Sequence, residues 1–306
     1  MQKNLPTLDP TDKGLFFLSL GGIGEIGANC YLYGCDGKWI MIDLGLSFAD
    51  EQFPGVDLLV PKIDFVDDLD KNLEAVIISH GHEDHAGALA FLANKIKCSV
   101  YVTTFAKLLI ENRLKEFGFL DQINLIEINT NSKISLKNFN LEFISTTHSI
   151  PQPSAIVIST VYGNLLHTAD WKIDNTPTLG DDFNKKAFEN LGNQGILALI
   201  GDSTNANIPG YSQSENEVKE ELISVFSRYN KRIIITCFSS NIARMQNIVK
   251  AAQKNNRKIA LVGRSMKKTI EALEAGISAT KPGNTADDVA QAFWKILDKY
   301  GIEKKS

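Results

Sequence analysis

Apolar runs alternate with turn-forming residues along most of the chain, and their period sets the elements it predicts. Leu15 to Leu20 reads as a strand. Asn29-Cys30-Tyr31-Leu32-Tyr33 and Lys38-Trp39-Ile40-Met41-Ile42-Asp43 are β-rich runs joined by Cys35-Asp36-Gly37, a hairpin signal. Leu73 to Ile78 is an apolar run of buried-strand type. In residues 86–97, Leu89, Leu92, Ala93 and Ile96 recur at helical spacing, which predicts a helix beginning near Asp84 and His85. Pro54 to Asp70 is an acidic loop with little periodicity. Strands are expected at Cys98–Thr103, Ile123–Ile128, Lys133–Leu136, Leu141–Ser145, Ala155–Val161 and Asn164–His167. A helix at Phe105–Phe117 carries Leu108, Leu109, Leu114 and Phe117 as its apolar positions.

Beyond residue 202 the period changes. Ser214-Glu215-Asn216-Glu217 is a capping box that opens a helix to Tyr229. Strand Arg232–Phe238, helix Asn241–Gln253, strand Lys258–Val262 and helix Ser265–Ala275 are expected to follow, an alternation that predicts parallel strands. An amphipathic helix is expected at Ala286–Tyr300. The fold class is therefore α/β.

Where strands stop, polar residues collect. The strand ending at Ile78 runs into Ser79-His80-Gly81-His82-Glu83-Asp84-His85, which holds three of the chain's five histidines. A single histidine there would be an ordinary solvated turn. Three imidazoles and a carboxylate between a strand end and a helix start can reach two metal ions, because these are ligands that Zn²⁺ accepts. His148 and Asp170 each lie just beyond a later strand end, and a dinuclear site needs about three protein ligands per ion and a bridging carboxylate. Asp43 also closes a strand. It suits either a turn or a partner that orients a ligand histidine. His167, inside a strand, reads as packing.

Gly22, Gly24 and Gly27 match the dinucleotide fingerprint G-x-G-x-x-G after a strand. That fingerprint must open a helix, whereas β-rich runs follow here. The glycines read instead as a tight turn beside a site.

Composition narrows the class without naming the chemistry. With 306 residues, 43% of them apolar, the chain can bury a substantial core. No apolar run has membrane-spanning length and the first residues lack a signal-peptide core, so a cytoplasmic location is expected. Cys30, Cys35, Cys98 and Cys237 form no C-x-x-C pair and read as small apolar residues. Net charge is only −4, yet residues 231–268 carry ten Lys/Arg and no acid. A one-signed run of that length points to a polyanionic partner.

Gly21-Gly22-Ile23-Gly24-Glu25-Ile26-Gly27-Ala28-Asn29, Asp43-Leu44-Gly45-Leu46, Pro54-Gly55-Val56-Asp57, Thr147-His148-Ser149-Ile150-Pro151 and Gly201-Asp202-Ser203-Thr204-Asn205 together resemble the ribonuclease J family, from about Leu15 to about Gly276. The resemblance implies a metallo-β-lactamase αββα sandwich with the first part of an inserted β-CASP α/β domain. It implies a zinc-dependent ribonuclease, exonucleolytic from the 5′ end and sometimes endonucleolytic, using a metal-activated hydroxide. Carried over by motif, one Zn²⁺ is held by His80, His82 and His148 and the other by Asp84 and His85, with Asp170 bridging. Asp84 and Asp202 are then the catalytic carboxylates, with Asp43 behind the ligands. Ser239, Asn241, Arg264, Ser265 and Lys267 fall at strand-to-helix junctions, where free N–H groups face an anion, and are expected to contact RNA. The implied partners are 5′-monophosphorylated RNA and a second copy of the chain, with no membrane.

Members of that family are much longer, and a late metal-binding histidine has no counterpart here. The chain is thus expected to be a fragment: residues 1–205 lactamase-type, 206–276 partial β-CASP and 277–306 a tail of unclear origin. That tail faintly resembles part of the creatinase and aminopeptidase family. The second zinc is expected to be held loosely. Two rival readings are a hydrolase of a small thioester or lactam on the same fold, and an inactive RNA-binding remnant.

If the all-basic segment meets phosphates, RNA affinity will fall steeply with salt, log K dropping by about 0.7 per phosphate neutralised on a single strand for each unit of log salt. Arg264→Ala and Lys267→Ala should each flatten that slope in a salt-titrated binding assay. A salt-independent affinity would remove the segment from the RNA path.

Overall fold

The computed structural model describes residues 9–69 and 72–263. In chain order the elements are β1 (Leu15–Gly21), β2 (Cys30–Cys35), β3 (Lys38–Ile42), β4 (Ser47–Phe48), β5 (Leu58–Leu59), α1 (Asp64–Leu69), β6 (Leu73–Ile77), α2 (Glu83–Ala86), β7 (Ser99–Thr103), α3 (Thr104–Phe117), β8 (Leu125–Ile128), β9 (Lys133–Ser135), β10 (Asn140–Ser145), β11 (Ser154–Thr160), β12 (Gly163–His167), α4 (Lys185–Gln194), β13 (Ala198–Ile200), α5 (Glu215–Arg228) and α6 (Ile242–Lys254). They fall into two compact units. One comprises the chain up to His148, Gln152–Lys172 and Phe183–Pro209; the other comprises Ser149–Pro151, Ile173–Asp182 and the chain from Gly210.

The first unit is built on two sheets, a six-stranded one of order β1-β2-β3-β6-β7-β8 and a five-stranded one of order β13-β12-β11-β10-β9. The hairpin β2–β3 turns through Asp36 and Gly37, both at positive φ. Alternation along the strands then assigns the faces. Ile40 and Ile42 of β3 and Ala75 and Ile77 of β6 meet Phe143, Ile156 and Ile158 of the opposite sheet, so one apolar layer fills the space between the sheets. Trp39, Met41 and Val76 point the other way, onto Ala106, Ile110 and Leu114 of α3. On the outer face of the five-stranded sheet, Ile144, Ala155, Val157 and Leu166 pack with Leu191 of α4. The layers run helix, sheet, sheet, helix, which is the αββα sandwich.

The expected helix over residues 86–97 does not form. Only α2, a 3₁₀ turn at Ala93–Lys95 and irregular turns occupy that stretch, although Leu89, Ala93 and Ile96 are buried as their spacing predicts. One amide of the stretch is diverted, Ala88 N–H donating to the Leu44 carbonyl at 3.0 Å, and those after it close short turns such as Phe91 N–H to the Ala88 carbonyl at 3.1 Å. The pairing of Ala88 to the β3 exit interrupts the local ladder near its start. The acidic loop likewise contains β4, β5 and α1, and neither α4 nor β13 had a clear periodic signal.

In the second unit the capping box at Ser214 and the Asn241 cap of α6 both form. Phe226 packs against Ala251 and Ala252. The runs Arg232–Phe238 and Lys258–Val262 are not strands among the described residues. A strand needs a ladder neighbour, and neither run pairs with one there; Ile234, Phe238 and Val262 remain largely exposed. The helices expected at Ser265–Ala275 and Ala286–Tyr300 lie outside the described residues.

Phe143 sits in the layer between the two sheets and is 1% exposed. Phe143→Ala should cost about 3–5 kcal/mol, the range for deleting a buried aromatic ring, seen as a lower thermal midpoint. An unchanged midpoint would mean that this layer is not the core.

Candidate metal centre

The site begins with a buried acid. Asp43 follows β3 at φ +63 and is fully buried, and its carboxylate organises the exit of the neighbouring parallel strand β6. Its Oδ1 accepts Ser79 N–H at 2.8 Å and its Oδ2 accepts the Ser79 hydroxyl at 2.9 Å. The same Oδ2 lies 2.7 Å from His85 Nδ1. With Nδ1 engaged there, His85 turns Nε2 outward, which is how a carboxylate fixes a ligand imidazole.

The turn carrying His80 to His85 is pinned by main-chain bonds as well. Asn29 N–H donates to the Asp84 carbonyl at 3.0 Å and Leu44 N–H to that of His85 at 2.8 Å. Gly45 passes so close that a Cβ there would lie 1.6 Å from the Asp84 carbonyl oxygen. Across the site, an isolated bridge between Thr147 and Lys172 joins the loops after β10 and β12, and so sets His148 beside Asp170.

These constraints gather six of the expected side chains into two groups. His80, His82, His148 and Asp170 form one, and Asp84, His85 and Asp170 the other; within each group the candidate ligand atoms all lie within 4.8 Å of one another. His82 Nδ1 is 3.1 Å from both His80 Nε2 and His148 Nε2. Asp170 faces both groups, Oδ1 at 3.1 Å from His85 Nε2 and Oδ2 at 3.6 Å from His148 Nε2. His85 Nε2 is also 3.6 Å from Asp84 Oδ2.

The donors fit a cation better than they fit one another. Zn–N bonds of about 2.0–2.1 Å in a tetrahedral shell put ligand nitrogens about 3.3 Å apart, close to the 3.1 Å seen here. Burial, then repulsion from neighbouring imidazoles, holds His80 well below the usual histidine range and His148 down to about 3. Those rings present lone pairs. Burial also opposes charge on His85, but Asp43 and Asp170 override it and raise its pKa well above the ordinary value. Asp170, despite burial, is held at about 2 by its hydrogen bond to His85 and the surrounding histidines.

The remaining expected residues lie apart from these groups. Asp202 follows β13, where its N–H donates to Thr168 Oγ1 at 3.1 Å and its Oδ1 accepts Thr204 N–H at 2.8 Å; it belongs to neither ligand group. His167 is buried against Tyr31 and Tyr33, with Nδ1 2.8 Å from the Tyr33 hydroxyl, and burial lowers its pKa to about 4. In the second unit Ser239 is half-buried, and the Asn241 side chain accepts Arg244 N–H at 2.9 Å. Arg264, Ser265 and Lys267 lie outside the described residues.

The model of the metallo-beta-lactamase superfamily matches residues 23–218, well over half the chain and all six ligand candidates. The chain belongs to the metallo-beta-lactamase superfamily. Within the superfamily its likeness is specific, for the model of the ribonuclease J beta-CASP domain matches residues 230–290. Ribonuclease J of Sinorhizobium meliloti is 40% identical over 264 residues, 85% of this chain and 47% of that one. Ribonuclease J of Thermus thermophilus is 39% identical over 272 residues, 86% of this chain and 48% of that one. The chain thus spans about half the length of these relatives. The fold is also similar to that of a solved protein of unknown function from Enterococcus faecalis V583, at TM-score 0.55 and 18% identity over 77% of this chain and 63% of that one. At that identity the likeness speaks for fold alone.

Sequence reasoning gave no role to Ser79, Asn29 or Tyr31. Ser79 adjoins the histidine motif, but nothing in composition says that its hydroxyl meets Asp43. Asp43→Asn removes the charge beneath His85 and should weaken metal binding about 10–100-fold, the usual effect of losing a partner behind a ligand. A zinc competition titration would show it, and undiminished affinity would mean that Asp43 serves the fold alone.

Proposed function

We propose that the chain is a metal-dependent ribonuclease of the ribonuclease J type, hydrolysing phosphodiester bonds of RNA in the cytoplasm with two zinc ions in the paired ligand groups. The observation that carries this reading is the sharing of Asp170 between a three-histidine group and an Asp84–His85 group. The similarity to curated ribonuclease J proteins supports RNA as the substrate. We extend the reading to 5′-monophosphorylated ends and to attack from the 5′ end or internally, as the sequence resemblance implies. A homodimer belongs to the same reading.

When bound, the two ions would supply Lewis acidity to a phosphate oxygen and bring the pKa of a shared water to near neutrality. The chain's own residues do the positioning. His80, His82 and His148 converge on one point from two loops, and Asp170 fixes the spacing of the two groups through its two oxygens. Asp43 takes the His85 Nδ1 proton as a hydrogen bond, leaving Nε2 for the ligand role. Asp84, at the mouth of the second group with its side chain 35% exposed, faces substrate. We place Asp202 near the reacting phosphate as a further carboxylate, and Ser239, Asn241, Arg264, Ser265 and Lys267 along the RNA path.

The test is a measurement of metal content combined with cleavage of a labelled 5′-monophosphorylated RNA. His82→Ala should abolish cleavage, by at least about 10³-fold, while leaving the thermal midpoint of the metal-free protein nearly unchanged, because His82, though buried among the other candidate ligands, lies on a loop outside the apolar clusters. His167→Ala should lower that midpoint instead, since it empties a buried site. Full cleavage by His82→Ala would sink the metal-hydrolase reading. A chain that holds zinc but cleaves a thioester or lactam in place of RNA would reassign the substrate.

A further inference from the structure

We propose that Asn29, set by Tyr31, is a positioning residue for the metal group formed by Asp84, His85 and Asp170; this rests on the metal-binding reading above. Asn29 immediately precedes β2, on the side of the site opposite Asp43. Its Nδ2 donates to the Asp84 carbonyl at 3.0 Å and lies 3.2 Å from His85 Nε2. Its Oδ1 accepts the Tyr31 hydroxyl at 2.7 Å.

The orientation of the amide follows from its partners. The Asp84 carbonyl can only accept a hydrogen bond, so the amide nitrogen must face it. The Tyr31 hydroxyl then donates to the amide oxygen on the other side. Asn29 therefore directs its amide N–H to the Asp84 carbonyl and packs beside His85 Nε2, leaving that nitrogen's lone pair to a metal. Asp43 holds the same ring at Nδ1, 2.7 Å away. Hydrogen-bonded at Nδ1 and flanked by the Asn29 amide beside Nε2, the imidazole is held in one orientation.

An independent observation points to the same pair. Gly22, at φ +81, belongs to the glycine-rich turn that no fingerprint explained. A Cβ there would lie 2.3 Å from the Tyr31 hydroxyl and 2.5 Å from Asn29 Oδ1. The turn leaves room for the hydrogen bond that sets the amide, and the Gly22 carbonyl takes a second contact from Tyr31 at 3.3 Å. The Tyr31 ring is itself buried against His167 and stacked on Phe17, so the support is rigid.

The experiment is a titration of the metal-free protein with Co²⁺, read by its visible spectrum, and with Zn²⁺ against a chelator, for the wild type, Asn29→Ala, Tyr31→Phe and Gly22→Ala. Asn29→Ala keeps the main-chain bond to Asp84, so the turn stays in place. It should weaken the second ion about 10–100-fold, the range for losing a partner behind a ligand, and alter only that ion's Co²⁺ bands. Tyr31→Phe and Gly22→Ala should weaken the same ion to a smaller degree, with the first ion unchanged in all three. Wild-type affinity for both ions in Asn29→Ala would overturn the proposal. So would an equal loss at both sites accompanied by a lower thermal midpoint of the metal-free protein, since that marks a role in folding. A wild-type protein that takes up no ion would overturn the metal reading itself, and the positioning role with it.

Discussion

A carboxylate with no exposure to water has to be satisfied where it stands, and Asp43 is the group on which the rest of the site depends. Burying a charge without partners is very costly, and the protein avoids that cost by giving Asp43 a main-chain amide, a hydroxyl and an imidazole. The left-handed backbone at φ +63 adds about 1–3 kcal/mol of strain, of a kind that persists only where the surroundings over-determine it. The two parallel strands β3 and β6 therefore cannot shift against each other without stranding that charge. Everything downstream inherits the register: Leu44 and Leu46 bond to the ligand turn, and Gly45 is held in contact with Asp84.

Much of this was legible in the sequence because the chemistry sits where periodicity breaks. His80, His82, Asp84 and His85 follow an unmistakable buried strand, and His148 and Asp170 follow two more, so the candidate ligands could be picked out before geometry brought them together. What could not be read is what the backbone does between such points. Residues 86–97 have helical spacing and yet fold as turns: Ala88 N–H pairs with the Leu44 carbonyl, which no local pattern records, and the amides after it close separate short turns. Asn29 shows the same limit for a side chain: its role depends on which carbonyl happens to lie beside it.

Charge is the least directional of the signals. The basic run through residues 231–268 looks uniform in sequence, but Arg244 pairs with Glu215 at 3.0 Å, and Arg257 donates to the carbonyls of Lys231 and Phe226. Those two guanidinium groups hold the second unit together, so fewer cations face solvent than the count suggests. The α/β alternation there was legible for the helices, whose caps are local, and not for the strands, whose stability lies in neighbours.

β6 is paired on both edges by parallel strands and buried on both faces, by the layer between the sheets and by α3. Amides in such a strand exchange with solvent only through the largest openings of a fold. The turn carrying His80 to His85 springs from one of these slowly exchanging interior strands. The side chains of His80, His82 and His85 are thus carried on a backbone anchored at its strand end, and their spacing is set before any ion arrives.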